Sequence, residues 1–175
     1  MKVFVVGYMG SGKTQTGYFL AKKLGYKFVD LDILVEEGVG MKIKDIFAEY
    51  GEDYFRKIES ETLKSVATNN DNIVIATGGG APCFFDNMKF MNEQGITVYL
   101  KLSAKQLTER LKENKDKRPV ISKYNEIELA EFIKEHLKER ESRCYSLSHV
   151  IADMSKISLE QLYSIISYTI WIKKT

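Results

Sequence analysis

Residues 7–14, Gly7-Tyr8-Met9-Gly10-Ser11-Gly12-Lys13-Thr14, constrain the fold more than any other stretch of the chain. They match the spacing G-x-x-x-x-G-K-[ST], and their surroundings matter more than the letters. Lys2–Val6 is β-rich and runs straight into the first glycine, while Lys13–Leu24 carries apolar residues at helical spacing. Strand, glycine-rich turn and helix start, in that order, let the backbone wrap tightly so that successive N–H groups point inward at an anion. The positive end of the helix adds to that field. Lys13 brings a point charge suited to β- and γ-phosphates, and Thr14 a hydroxyl suited to magnesium. A glycine-rich turn without a ligand leaves the flanking strand and helix unaccounted for.

The rest of the chain keeps the same rhythm. Strands are predicted over 27–31, 72–76, 96–102 and, more weakly, 149–152. Helices are predicted over 42–50, 53–68, 84–93, 104–114, 126–143 and 158–172, the last with Ser158 as its N-cap. Strands that read as continuous apolar runs are buried on both faces, and alternating β and α units imply a parallel sheet with helices on both sides. Ligands then gather beyond the carboxyl ends of the strands. Residues 112–125, KENKDKRPVISKYN, are polar, charged and without a period, which on composition alone reads as a surface loop. At 175 residues, 44% hydrophobic and 29% charged, the chain suits one globular domain.

A net charge of +2 is too balanced for nucleic acid or a membrane surface, and no apolar run approaches membrane-span length. The N-terminal apolar run is a strand and not a signal peptide. Cys83 and Cys144 lack metal-ligand spacing and do not resemble a disulfide framework, which fits a reducing cytoplasm. Cys83 lies beside a glycine loop and reads as a packed, inert cysteine, the alternative being a thiol that affects the site if oxidised. His136 and His149 read as ordinary surface or structural residues, and Tyr163, Ile166, Ile170 and Trp171 as the cover of the sheet.

Three further segments carry chemistry. Asp30-Leu31-Asp32 closes the second strand, and alternation sends both carboxylates one way with Leu31 opposite. Such a pair suits magnesium and an attacking hydroxyl, the alternative being a helix N-cap at Asp32. Arg56 and Glu59 are three apart on a helix and pair on one face, as a surface ion pair or as part of a site. Gly78-Gly79-Gly80 ends the third strand, where three glycines suit close approach of backbone to a ligand better than a generic loop. A GTPase is disfavoured: there is no D-x-x-G, and Asn114-Lys115-Asp116-Lys117 places lysine where a guanine reader needs aspartate.

Taken together, GYMGSGKT, FVDLD, DIFAEYGEDYFRKIE, TGGGAPC and KRPVI resemble shikimate kinase, over residues 1 to about 145. The resemblance implies a single α/β domain, 1–175, with the three-layer P-loop kinase fold. Its five-stranded parallel sheet has order 2-3-1-4-5, with helices on both faces and a mobile lid at approximately 112–125. It implies ATP- and magnesium-dependent phosphorylation of the shikimate 3-hydroxyl, in chorismate and aromatic amino-acid biosynthesis. By the same resemblance Gly10, Ser11, Gly12, Lys13, Thr14, Gln15 and Arg118 bind the nucleotide, and Thr14 and Asp30 serve magnesium. Asp32, Arg56, Gly78, Gly79, Gly80 and Arg140 bind shikimate, and Lys13, Asp32 and Arg118 are catalytic. The implied protein is a cytoplasmic monomer whose partners are shikimate and ATP, with no nucleic acid and no membrane.

Two departures from the family pattern stand out. Gln15 replaces a second hydroxyl residue after Thr14. The family's R-x-P-x-Y, whose arginine clamps the substrate carboxylate, is replaced by Arg140-Glu141-Ser142-Arg143-Cys144-Tyr145, with Glu141 four before the tyrosine and no proline. Arg140 is the expected clamp because a small helix shift restores its aim; Arg143 is the alternative. The rival readings are a kinase of the same architecture acting on gluconate or a nucleoside monophosphate, and a nucleotide-binding partner module without transfer activity.

Overall fold

Five apolar runs pair side by side into one parallel sheet, in the order β2-β3-β1-β4-β5. The computed structural model describes residues 1–112, 120–121 and 123–174. Within them the elements are β1 (Lys2–Val6), α1 (Lys13–Leu24), β2 (Lys27–Asp30), α2 (Leu31–Val39) and α3 (Ile43–Thr68). They continue with β3 (Ile73–Ala76), α4 (Asn87–Gln94), β4 (Gly95–Lys101), α5 (Ala104–Lys112), α6 (Glu126–Arg143), β5 (Val150–Asp153) and α7 (Leu159–Lys174).

The two-residue period of β1 sorts the core. Val3 and Val5 face α1 and α7 through Leu20, Leu162 and Ile166. Phe4 and Val6 belong to the opposite core, built with Leu63 of α3, Met91 of α4 and Ile133 of α6. Helices therefore cover both faces, making three layers, as continuous apolar strands require. The register Val5↔Ala76 and Asp30↔Ala76 brings the ends of β1, β2 and β3 to one edge. The glycine-rich turn, the aspartates and the triple glycine all leave the sheet there.

The structure corrects several local expectations. The second strand stops at Asp30, and residues 31–39 form helix α2, which the sequence reading did not place. The two helices expected at 42–50 and 53–68 are present as the two halves of α3, divided at Gly51, whose backbone is not helical (φ 81°, ψ 176°). Trp171 does not cover the sheet: it is 60% exposed, while Ile166 and Ile170 on the same helix are buried. The cysteines are not separate thiols. Cys83 and Cys144 are joined in a disulfide with their Cα atoms 5.3 Å apart. An unpaired-thiol argument for a reducing compartment therefore does not hold.

Candidate active site

The turn after β1 closes around its own backbone. Gly12 caps α1 in the left-handed region (φ 91°, ψ 23°), a conformation open to glycine at little cost. At Gly10 (φ 79°) a Cβ would press on the Leu111 side chain at 3.1 Å. Lys13 Nζ donates to the carbonyls of Gly7 and Tyr8, each at 3.0 Å, so the charge arches over the turn. Ser11 Oγ is buried with no hydrogen-bond partner among the described residues, a polar atom suited to a phosphate oxygen. Gln15 is exposed on the first turn of α1.

Asp30 joins this turn to the next segment. Its Oδ2 accepts from Thr14 Oγ1 at 2.6 Å, and its Oδ1 accepts from the backbone N–H of Asp32 at 3.1 Å. Asp30, not Asp32, is the helix cap. The strand alternation expected for residues 30–32 does not exist, because the chain passes from β2 directly into α2. Asp32 stands instead on the first turn of α2 and lines the cavity. Magnesium takes oxygen ligands, usually one or two carboxylates with phosphates and water supplying the rest. The Thr14 hydroxyl beside the Asp30 carboxylate fits that demand. Among the described residues no group of three or more His, Cys, Asp or Glu forms a richer metal site.

The opposite wall comes from α3. Arg56 Nη1 donates to Glu59 Oε2 at 2.8 Å, and Nη2 and Nε donate to Glu52 Oε1 at 3.0 and 3.1 Å. The guanidinium carbon lies 4.4 Å from the centre of the Phe84 ring. This is not a surface ion pair, since both Arg56 and Glu59 are buried. Burial pushes the Glu59 carboxyl up to about 7 against the lowering effect of Arg56, and the charge of Asp32 adds to the rise. Glu59 Oε1 has no hydrogen-bond partner among the described residues. The triple glycine makes this crowding possible: a Cβ on Gly80 would fall 2.6 Å from Arg56 Nη2, and one on Gly78 would fall 2.9 Å from Asp32 Oδ1.

Helix α6 supplies the third wall. Asn125 caps it in a reciprocal box with Glu128. Leu129, Ile133 and Leu137 bury one stripe, and Arg140 continues it inward. Arg140 Nη1 donates to the Gly79 carbonyl at 3.1 Å, and the Tyr145 hydroxyl donates to the same oxygen. Arg143 points elsewhere, pairing with Glu139 at 2.8 Å on a 64% exposed side chain. Of the two candidate clamps, Arg140 alone lines the cavity among the described residues. Glu141, which replaces the family's arginine, accepts from the Tyr99 hydroxyl at 2.8 Å.

These walls enclose a cavity of about 850 Å³, lined among others by Gly10, Asp32, Arg56, Gly79, Arg110 and Arg140. The phosphate-binding turn and the basic seat thus share one hollow. Lys13 and Thr14 are not part of its lining and reach it through Gly10 and the Asp30–Asp32 link. Arg118 lies outside the described residues; of the expected lid, Val120 lines the cavity and Ile121 is buried.

Sequence reasoning missed three participants. Arg110 Nη1 donates to the Gly10 carbonyl at 3.2 Å; its signal was an arginine three residues after buried Leu107, at the end of the helix that follows β4. Tyr8 is buried with its hydroxyl 3.0 Å from His136 Nδ1 and its ring 5.4 Å from the Arg140 guanidinium carbon. Burial, helped by the charge of Arg140, lowers His136 to about 4 and keeps it neutral. No short-range pattern joins residues so far apart in the chain.

The family model for shikimate kinase matches residues 9–170. A shikimate kinase of Parabacteroides distasonis is 47% identical over 159 residues, 91% of this chain and 91% of that protein. A shikimate kinase structure from Bacteroides thetaiotaomicron superposes with TM-score 0.87 at 37% identity, covering 97% of this chain and 98% of the other. A shikimate kinase of Acinetobacter baumannii in complex with shikimate gives TM-score 0.87 at 30% identity, over 99% of this chain and 94% of that one. A deoxyadenosine kinase of M. mycoides, at 19% identity and TM-score 0.59, shares the fold alone. With relatives alike over nearly their whole length, and a phosphate-binding turn facing two buried arginines, the chain belongs to the shikimate kinase family.

Proposed function

We infer that the protein transfers the γ-phosphoryl group of ATP to the 3-hydroxyl of shikimate, yielding shikimate 3-phosphate for aromatic amino-acid biosynthesis. The observation that carries this reading is the single cavity with the glycine-rich turn on one side and the guanidiniums of Arg56 and Arg140 on the other. Two buried cations suit a small carboxylate, and a guanidinium grips one with two parallel bonds.

Phosphoryl transfer leaves the protein mainly positioning and charge stabilisation. Gly10–Thr14 cradle the triphosphate, with Ser11 Oγ free to donate and Lys13 swinging from the turn's carbonyls to the phosphates. Gln15 stands beside them, and Arg110 adds a cation that the family pattern had not led us to expect. Thr14 and Asp30 would hold magnesium, which would supply neutralising charge to the phosphates. Arg56 and Arg140 orient the acceptor through its carboxylate against Gly78, Gly79 and Gly80. Asp32 orients the attacking hydroxyl and accepts its proton late. Arg118 and residues 112–125 are assigned to a lid that excludes water, on the family resemblance. The working unit is a single domain spanning 1–175, acting as a monomer in the cytoplasm, where ATP is supplied. Among the described residues no helix is long and apolar enough to cross a membrane.

An ADP-release assay with shikimate, gluconate and nucleoside monophosphates as acceptors, with product mass determined, tests the assignment. Turnover is expected with shikimate alone and is abolished in Lys13→Ala. Turnover with either other acceptor and none with shikimate overturns it, and a near-normal kcat in Lys13→Ala removes that residue from the mechanism.

A further inference from the structure

We propose that Cys83 and Cys144 form a thiol–disulfide modification site, exchanged by a low-molecular-weight thiol or disulfide, that sets the affinity of the acceptor seat. The two residues are 61 apart in sequence and adjoin segments that line different sides of the cavity, the triple glycine and the end of α6 with Arg140. Cys83 ends the one-turn helix Ala81–Cys83 that follows the triple glycine. Cys144 ends α6, four residues after Arg140, with backbone angles outside the helical region (φ −141°, ψ −49°). Their Cα separation of 5.3 Å lies within the span a disulfide bridges without moving the backbone.

The bond therefore crosses a gap that is otherwise held by hydrogen bonds. Arg140 and Tyr145, which lie on either side of Cys144, both donate to the Gly79 carbonyl. With the bridge closed, the end of α6 is pinned to the glycine loop and the Arg140 side chain keeps its aim. With the bridge open, the donations to Gly79 and the apolar core that Ala81 shares with Leu137 and Tyr145 hold the two walls together, without the covalent pin.

Accessibility gives the exchange a direction. Cys83 is half-buried, whereas Cys144 is 2% exposed. An incoming thiolate attacks Cys83 Sγ, the Cys83–Cys144 bond breaks, and Cys144 leaves as a thiolate that takes up a proton. A second small thiol attacks the mixed disulfide at the small-molecule sulfur, releasing Cys83. The balance is one protein disulfide plus two small thiols giving two cysteine thiols plus one small disulfide, and oxidation by a small disulfide is the reverse. The freed Cys144 thiol has an acceptor at hand, since its Sγ lies 3.2 Å from the Arg140 carbonyl oxygen. Opening the bridge therefore leaves no buried polar atom stranded, and α6 keeps its fold.

The effect on the acceptor rests on the shikimate reading above; the exchange itself does not. The full-length enzyme is equilibrated in glutathione buffers poised from reducing to oxidising. Each sample is alkylated for intact mass and assayed for the KM of shikimate and of ATP. We expect two alkylated thiols under reducing poise and none under oxidising poise. The shikimate KM should be about fivefold higher in the reduced form, the scale of re-immobilising one long side chain, with the ATP KM unchanged. Cys83→Ala should show no redox response and keep the reduced-form KM. Thiols that alkylate equally at every poise, or equal shikimate KM in both forms of the wild type, overturn the proposal without recourse to the variant. Absence of shikimate turnover in both forms would sink the functional reading instead; the thiol count and calorimetric shikimate affinity would still decide this one.

Discussion

Arg56 is held on three sides, by Glu52, Glu59 and the Phe84 ring, so its fork is oriented by the protein itself. Such preorganisation lowers the entropic cost of gripping an anion. Arg56→Lys keeps a cation beside Glu59 but loses the fork. The shikimate KM should rise about tenfold or more, one lost charged hydrogen bond being worth about 1.5–3 kcal/mol, with the ATP KM unchanged. An unchanged acceptor KM in steady-state kinetics would remove Arg56 from the clamp. Glu59 adds a pH dependence. Burial raises its carboxyl to about 7, so it is neutral below that and an anion beside the seat above it. A raised carboxyl favours the folded state below the ordinary carboxylate range, and that contribution is lost as pH rises through about 7. The same ionisation opposes a bound carboxylate, so the shikimate KM should climb between about pH 6 and pH 8, and Glu59→Gln should flatten the profile. The inward aim of Arg140 was legible in the sequence, because Leu129, Ile133 and Leu137 mark the buried stripe that it continues. The burial of the Arg56–Glu59 pair was not, since three-residue spacing reads alike on a surface and in a wall.

At the scale of elements, the bend in α3 decides where Arg56 stands. Gly51 sits at φ 81° and ψ 176°, a conformation essentially restricted to glycine, and a Cβ there would meet nothing within 4 Å. Gly51→Ala should therefore cost backbone strain without a clash, about 1–3 kcal/mol. Thermal unfolding should show it as a Tm lower by roughly 2–4 °C per kcal/mol, together with a raised shikimate KM. A Tm within 1 °C of wild type would mean that the bend does not depend on glycine. The break between residues 50 and 53 was legible in the sequence, and Gly51 makes it by leaving the helical region. Helix α2 was not legible. The apolar residues of β2 run on into Leu31 and Val35 with no linker, and over so short a run the strand and helix periods are not separable.

For the molecule as a whole, the sheet and its helical layers were readable because the central strands β1, β3 and β4 are buried apolar runs and each β–α unit repeats the rhythm. The cysteine bridge and the Tyr8–His136 contact were not readable, because each joins segments that only the finished fold brings together. The bridge also bears on stability. It closes a loop with a separation of 61 residues, worth about 4 kcal/mol on the chain-entropy account. Adding reductant should lower Tm by about 10 °C, and Cys144→Ala should be insensitive to reductant. A wild-type Tm indifferent to reductant would show that the unfolded chain gains no freedom from opening the bridge. Asp30 has a wider consequence. One of its oxygens serves the Thr14 hydroxyl and the other the first turn of α2, so a single carboxylate is shared by the donor and acceptor halves. The two substrates are therefore expected to load interdependently. Each must alter the other's dissociation constant by one common factor, measurable by titrating shikimate with and without a non-hydrolysable ATP analogue.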